Sequence, residues 1–145
     1  MVTHVDIQNA VCRFFRAVDE RAWSEARALM TDPFHLDYAS FGAGDPADLN
    51  PDDVLAGWRT MLPGFDHTHH QLGNFELEMD GGRATVGCYG TATHVLEGRS
   101  WTVVGRYVLS LVEQEGRWKL SGNRFLFRFQ DGDLGLPEAA RLRSR

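Results

Sequence analysis

The chain of 145 residues has only two cysteines, Cys12 and Cys88. Two thiols cannot form the disulfide framework of a small secreted domain or a four-thiolate metal site. We therefore expect both to be small buried hydrophobes in a protein of a reducing compartment, the cytoplasm.

The sequence also lacks an apolar run of about 18 residues that could cross a bilayer. Its N-terminus, MVTHVDIQNAV, has neither the basic region nor the apolar block of a signal peptide, so we expect no membrane partner. The formal net charge of −5 argues against a nucleic-acid partner. The only basic cluster is Arg141, Arg143 and Arg145, at an end that we expect to be mobile.

What is present is an ordinary soluble composition, 43% hydrophobic and 24% charged, which predicts one domain over residues 1–145. Apolar residues at helical spacing predict helices over about 4–18 and 22–30. Asn50, followed by a proline and two acids, caps a third predicted helix over 51–61. Between them, residues 34–38 alternate as a short strand does.

Four long strand patterns follow the predicted helices. They cover 68–79, 83–96, 101–113 and 117–129, and turns rich in glycine separate them, which favours consecutive antiparallel hairpins. Strands of this length bend where bulges interrupt them. The predicted fold is therefore α+β, with three helices packed on a strongly curved antiparallel sheet that encloses a pocket.

Strand alternation predicts which polar side chains face that pocket, because successive residues point to opposite faces. His94 shares the apolar face of its strand, and Tyr107 shares that of the next. Tyr38 lies on the face of Phe34. His70 has the parity of Leu72, provided that a bulge at Gly73 restores Phe75, Leu77 and Met79 to the same face, whereas His67 and His69 point away.

Three histidines within the segment His67–His70 could indicate zinc, but neighbours on a strand cannot converge on one metal ion, so we expect no metal. His70 and His94 should instead be near neighbours on adjacent strands. Two such imidazoles can relay a proton, with Asp19 as a candidate carboxylate partner. Hydrogen-bonded core histidines and a helix-capping Asp19 are the structural alternatives, and spacing alone leaves both interpretations open.

Several segments resemble a known family: the run Asp19–Trp23, the run Leu36–Phe41, the run Thr68–Asn74 and the run Gly116–Leu120. They are similar to the SnoaL-like branch of the nuclear-transport-factor-2-like superfamily, and within it to scytalone dehydratases, over residues 10–125. The resemblance implies a cone-shaped fold, which hosts several activities.

The resemblance also implies roles for individual residues. His70 and His94 match the two histidines of the family site, Asp19 matches the aspartate that orients His94, and Tyr38 matches a tyrosine that holds a water. A second such tyrosine is Val18 here. Two residues that contact substrate in the family correspond to Gly105 and Tyr107 in an ungapped match, which argues against scytalone itself as the substrate.

Taken together, these features predict a cofactor-independent dehydratase that eliminates water from a small cyclic or aromatic β-hydroxy carbonyl compound. The alternatives are an isomerase or polyketide cyclase with Asp19 as base, or a non-catalytic protein that binds small molecules. Outward-facing Tyr89, Val95, Val104 and Val108 predict a subunit contact in a homodimer or homotrimer. We expect the following residues to contact a hydrophobic or aromatic ligand: Phe41, Trp58, Met61, Leu62, Tyr107 and Asn123.

Overall fold

A computed structural model of the chain describes residues 3–144. Its α-helices are α1 (His4–Asp19), α2 (Trp23–Ala28), α3 (Pro51–Arg59) and α4 (Leu136–Arg143). Its strands are β1 (Met30–Asp37), β2 (Ala47–Leu49), β3 (His67–Asp80), β4 (Arg83–Leu96), β5 (Arg99–Gln114) and β6 (Arg117–Gly132). None of the helices within these residues is long and apolar enough to cross a membrane.

The three predicted helices are present. Thr3 caps the start of α1: its hydroxyl accepts a hydrogen bond from the backbone N–H of Asp6, and the Asp6 carboxylate accepts one from the backbone N–H of Thr3. α3 begins after Asn50, whose side chain accepts from Asp52. α2 is shorter than predicted, because Met30 already belongs to β1 and pairs with Leu120 of β6.

The strands form one six-stranded sheet in the order β2-β1-β6-β5-β4-β3. The last four are consecutive antiparallel neighbours, as predicted, whereas β1 pairs parallel with β6. The α+β prediction is confirmed. The sequence reasoning did not anticipate β2, α4 or the parallel pairing.

A bulge interrupts β3 where it was predicted. The register with β4 shifts between Gly73 and Glu76, and Asn74 has a positive φ of 54°. Because of this extra residue, Leu72 is opposite Gly90 and Leu77 is opposite Val86, so both leucines face the concave side. The face prediction for β3 is therefore confirmed.

The core lies between the helices and the concave face of the sheet. On β4 and β5 the buried residues alternate as predicted. Side chains such as Phe14, Phe34 and Leu109 are almost fully buried there. Of the two cysteines only Cys88 is buried, so the prediction for Cys12 is wrong: it lies beside the buried stripe of α1 and is exposed.

The C-terminal end is a docked helix, so the expectation that it is mobile is wrong for Arg141 and Arg143; Arg145 lies outside the described residues. α4 buries Leu136 and Ala140, and Arg143 forms an ion pair of 2.7 Å with Asp66. The contact with the preceding loop is close, because a Cβ at Gly64 would overlap the carbonyl of Ala140.

Candidate active site

A cavity of about 470 Å³ opens between the helices and the concave face of the sheet. This volume lies in the range of small-molecule sites. Most of its wall is apolar or aromatic, and no aspartate or glutamate side chain within residues 3–144 lines it. The polar residues on its wall are Tyr38, His70, His94, Tyr107, Gln130 and Arg141.

Most residues predicted for the site do line this cavity. The set comprises Tyr38, Phe41, Trp58, Met61, Leu62, His70, His94 and Tyr107. Asp19 and Asn123 do not line it, but each contacts a residue that does. His67 and His69 are exposed, as strand alternation predicted.

The carboxylate of Asp19 binds His70 at two points. Its Oδ1 lies 2.7 Å from the Nδ1 of the ring, and its Oδ2 accepts a hydrogen bond of 2.8 Å from the backbone N–H. Both side chains are largely buried, with 15% and 13% of their surface exposed. The ring is thereby held in one orientation, and Nε2 is the nitrogen left for a ligand.

The resemblance implied that Asp19 orients His94, and the structure contradicts this pairing. The reason lies in the position of β3 at the edge of the sheet. An edge strand has backbone N–H groups without a strand partner, and the end of α1 brings Asp19 to the one at His70. Burial alone would raise the pKa of Asp19, but its hydrogen bonds and charge interaction with His70 outweigh this and lower that pKa.

His94 is buried, with 5% of its surface exposed, and its ring stacks on Trp101 at 4.3 Å between centroids. Its Nδ1 donates to the carbonyl of Trp101 at 3.0 Å, because a carbonyl can only accept, so Nδ1 carries the hydrogen. Burial lowers the pKa of His94 to about 4, although the Trp101 carbonyl opposes the shift. At neutral pH the ring is uncharged, and its Nε2 is an acceptor.

Two tyrosines on the wall and the amide of Asn123, which does not line the cavity, form a second polar group. The Nδ2 of Asn123 donates to the hydroxyl of Tyr38 at 3.2 Å, and the hydroxyl of Tyr107 also interacts with that of Tyr38. Burial raises the pKa of Tyr38 to about 12 and that of Tyr107 well above its ordinary value. Both hydroxyls are therefore protonated at neutral pH. Gly90 makes room for the ring of Tyr107, since any Cβ there would overlap it.

Sequence reasoning missed Arg21, whose hydrogen bonds connect the segments that carry Asp19 and His70. Its guanidinium donates to the carbonyl of Leu62 at 2.7 Å and to that of Asp19 at 2.8 Å, and it reaches Thr68 at 3.3 Å. The arginine thus ties the end of α1 to β3 beside the Asp19–His70 pair. No local pattern indicates this role, because Leu62 and Thr68 are more than forty residues away in the chain.

The other missed residues line the cavity directly. Strand alternation could have identified Trp101 and Phe125, which share faces with predicted inward residues. Gln130 and Arg141 could not be found in this way, since they lie at the end of β6 and on the unpredicted α4. Among residues 3–144, no group of three or more His, Cys, Asp or Glu side chains is arranged to hold a metal ion.

A curved sheet that closes with helices around an apolar cavity with buried histidines defines the class of cone-shaped proteins with the nuclear-transport-factor-2-like fold. Within this class, the family profile described as SnoaL-like domain matches residues 3–124. The chain belongs to the SnoaL-like family. A search among curated proteins finds no match to the sequence.

Solved structures with the same fold include the Kfla4162 protein of Kribbella flavida, 26% identical with a TM-score of 0.84 over 94% of this chain and 95% of that one. A candidate scytalone dehydratase of Novosphingobium aromaticivorans is 20% identical, with a TM-score of 0.75 over 88% and 85% of the chains. The type-3 hexachlorocyclohexane dehydrochlorinase LinA of Novosphingobium barchaimii is 16% identical, with a TM-score of 0.74 over 90% of each chain. At these identities the last two likenesses concern the fold alone.

Proposed function

We propose that the protein is a cofactor-independent lyase that eliminates water from a small cyclic or aromatic β-hydroxy carbonyl compound. The observation that carries the proposal is the 2.7 Å contact between Asp19 and Nδ1 of His70 at the wall of an apolar cavity. A carboxylate that holds an imidazole by one nitrogen directs the other nitrogen as a base. Neighbours in the same fold that are named for the loss of water or of hydrogen chloride support an elimination.

In the proposed reaction, Nε2 of His70 removes the proton from the carbon next to the carbonyl group. The electron pair of that C–H bond moves toward the carbonyl oxygen, where the Tyr38 hydroxyl donates a hydrogen bond to the developing enolate. The C–O bond at the β-carbon then breaks, and the imidazolium of His70 returns the proton to the departing hydroxyl. The products are water and a conjugated enone, and the imidazole is neutral again.

We assign His94 to orienting the substrate. A neutral ring whose Nδ1 donates to the Trp101 carbonyl has only a lone pair at Nε2, so it can accept a hydrogen bond from the substrate hydroxyl. It has no proton to give to a leaving group. We therefore assign both proton transfers to His70 alone, rather than to the two histidines together, and Asp19 is its positioning residue.

An isomerase or cyclase in the same cavity is the alternative reaction, but Asp19 as its base has less support. Asp19 does not line the cavity, and both of its oxygens already bind His70. The mass of the product separates the reactions, because only elimination reduces the mass of the substrate by one water.

The test uses a tetralone with a hydroxyl group at the β-carbon and follows loss of water by mass spectrometry. His70→Ala should reduce kcat/KM by about a hundredfold or more, the usual contribution of a general base. Asp19→Asn should reduce it by a smaller factor, while the neighbouring exposed variant His69→Ala serves as the matched control. Turnover that survives in both His70→Ala and Asp19→Asn would refute the assignment.

We also propose that the outward face of the sheet forms a subunit contact in a homodimer or homotrimer. Tyr89 is 46% exposed there, next to the partly exposed Val104 and Val108. Light scattering of the wild type and of Tyr89→Lys tests this, since an unchanged mass in the variant would contradict a contact through this face.

A further inference from the structure

We infer that the ligand of the cavity carries a carboxylate, which Arg141 binds at the mouth while the apolar ring fills the interior. This inference rests on the proposed site, but it concerns the chemical class of the ligand rather than the reaction. It is carried by the position of Arg141, the state of its charge and the neighbouring amide of Gln130.

Arg141 is held at the cavity by the docking of α4. The helix is fixed by the buried side chains of Leu136 and Ala140 and by the ion pair between Arg143 and Asp66. Arg141 and Pro137, on the same helix, both line the cavity. Because the helix is docked so closely, the backbone of Arg141 has a fixed position at the mouth of the cavity.

The charge of Arg141 is the one permanent charge on the cavity wall among the described residues, because the remaining lining residues are neutral or histidine. The protein as a whole has a formal charge of −5, so this local positive charge runs against its overall balance. An apolar wall beside a guanidinium strengthens its attraction for an anion, since less water screens it.

Little inside the protein competes for this guanidinium. Its ion pair with Glu138 spans 3.7 Å, between side chains that are 53% and 66% exposed. Such exposed pairs contribute little. Two other arginines, Arg99 and Arg143, have closer carboxylates at 3.0 Å and 2.7 Å.

Gln130 adds a second donor to the same cavity. Its Oε1 accepts a hydrogen bond of 2.9 Å from Nε1 of Trp101, which fixes the amide and leaves its nitrogen for a ligand. A planar guanidinium that can bind both oxygens of a carboxylate, together with an amide donor, matches an organic acid better than a neutral ketone.

The experiment compares naphthoate with its methyl ester, which has the same rings without the charge, by isothermal titration calorimetry at neutral pH. The wild type should bind naphthoate about threefold to tenfold more tightly than the ester, as expected for one partly exposed charged contact. Arg141→Gln should abolish this preference, so that naphthoate and its ester bind equally. Glutamine suits the helix about as well as arginine does.

Two further variants control for charge. Arg128→Gln removes the same charge from the outer face of the sheet, where Arg128 lies over the ring of Tyr89, and should retain the preference. Glu138→Gln removes the competing carboxylate and should increase the preference, whereas Arg141→Lys should keep part of it. Equal binding of the two probes by the wild type, or equal loss of the preference in Arg141→Gln and Arg128→Gln, would overturn the inference.

This readout is independent of the proposed reaction. If His70→Ala leaves turnover unchanged, the elimination fails while the preference for naphthoate still stands. If Arg141→Gln leaves the preference intact, the carboxylate assignment fails while the elimination still stands. If neither probe binds, the carboxylate assignment is overturned as well, because the cavity then does not take an aromatic acid.

Discussion

The buried neutral His94 should make the protein lose stability in mild acid. In the unfolded chain a histidine has a pKa of 6.5, whereas burial lowers that of His94 to about 4. Between these values the unfolded chain binds the proton more readily than the folded one, so the free energy of unfolding falls as the pH drops through this window. Below about pH 4 both states are protonated and the loss from this residue is complete.

The size of the effect follows from the same two values. Linkage gives a loss of about 2 kcal/mol between about pH 7.5 and about pH 5. The lowered pKa of Asp19 acts at a different pH: its contribution to stability is present above the ordinary aspartate pKa of 3.8 and is lost only below it. The two residues can therefore be separated by the choice of pH.

The assay is urea unfolding followed by tryptophan fluorescence at both pH values, for the wild type and for His94→Asn. The asparagine can still donate to the Trp101 carbonyl but cannot be protonated, so the difference in unfolding free energy between wild type and variant should shrink by about 2 kcal/mol at the lower pH. His69→Asn, at an exposed position of β3, controls for the substitution itself. Unfolding free energies that fall in parallel for wild type and His94→Asn would refute the reasoning.

Two further predictions concern packing around the site. Gly64→Ala should destabilise the protein by about 1–3 kcal/mol and increase hydrogen exchange in residues 136–143, because the new Cβ would overlap Ala140. A Cβ at Gly57 meets no atom within 4 Å, so Gly57→Ala should instead stabilise α3 by about 0.5–1 kcal/mol. Equal effects of the two substitutions would contradict this packing. Tyr38→Phe should lower thermal stability, because it leaves the buried amide of Asn123, 1% exposed, without its hydrogen-bond acceptor. The expected cost in unfolding free energy is about 1–3 kcal/mol. An unchanged melting temperature would show that this hydrogen bond contributes nothing.

Much of the fold could be predicted because local patterns coincide with the tertiary structure. The alternation of β4 and β5 identified His94 and Tyr107 as inward, and the bulge next to Gly73 explained how Leu72 and Leu77 share a face. Turn glycines fixed the order of the hairpins. These features depend only on neighbours in the chain, so the sequence contains them.

The remaining features depend on contacts between distant segments. The position at which α1 ends against the edge of the sheet decides which histidine Asp19 binds. The spacing of residues in the sequence cannot tell whether this partner is His70 or His94. The parallel pairing of β1 with β6 joins strands more than eighty residues apart. α4 carries a weak apolar pattern, and its docking depends on contacts with a distant segment around Gly64 and Asp66, so the sequence did not predict a docked helix there.

Because Asp19 binds both the ring and the backbone of His70, the direction in which Nε2 of His70 points depends on the position of α1. A small shift of α1 would turn the ring away from the substrate, so the residues on that side of the cavity should vary little among relatives. New specificities should therefore arise on the opposite walls, at α3 and α4, where substitutions can reshape the opening and leave the reacting groups undisturbed.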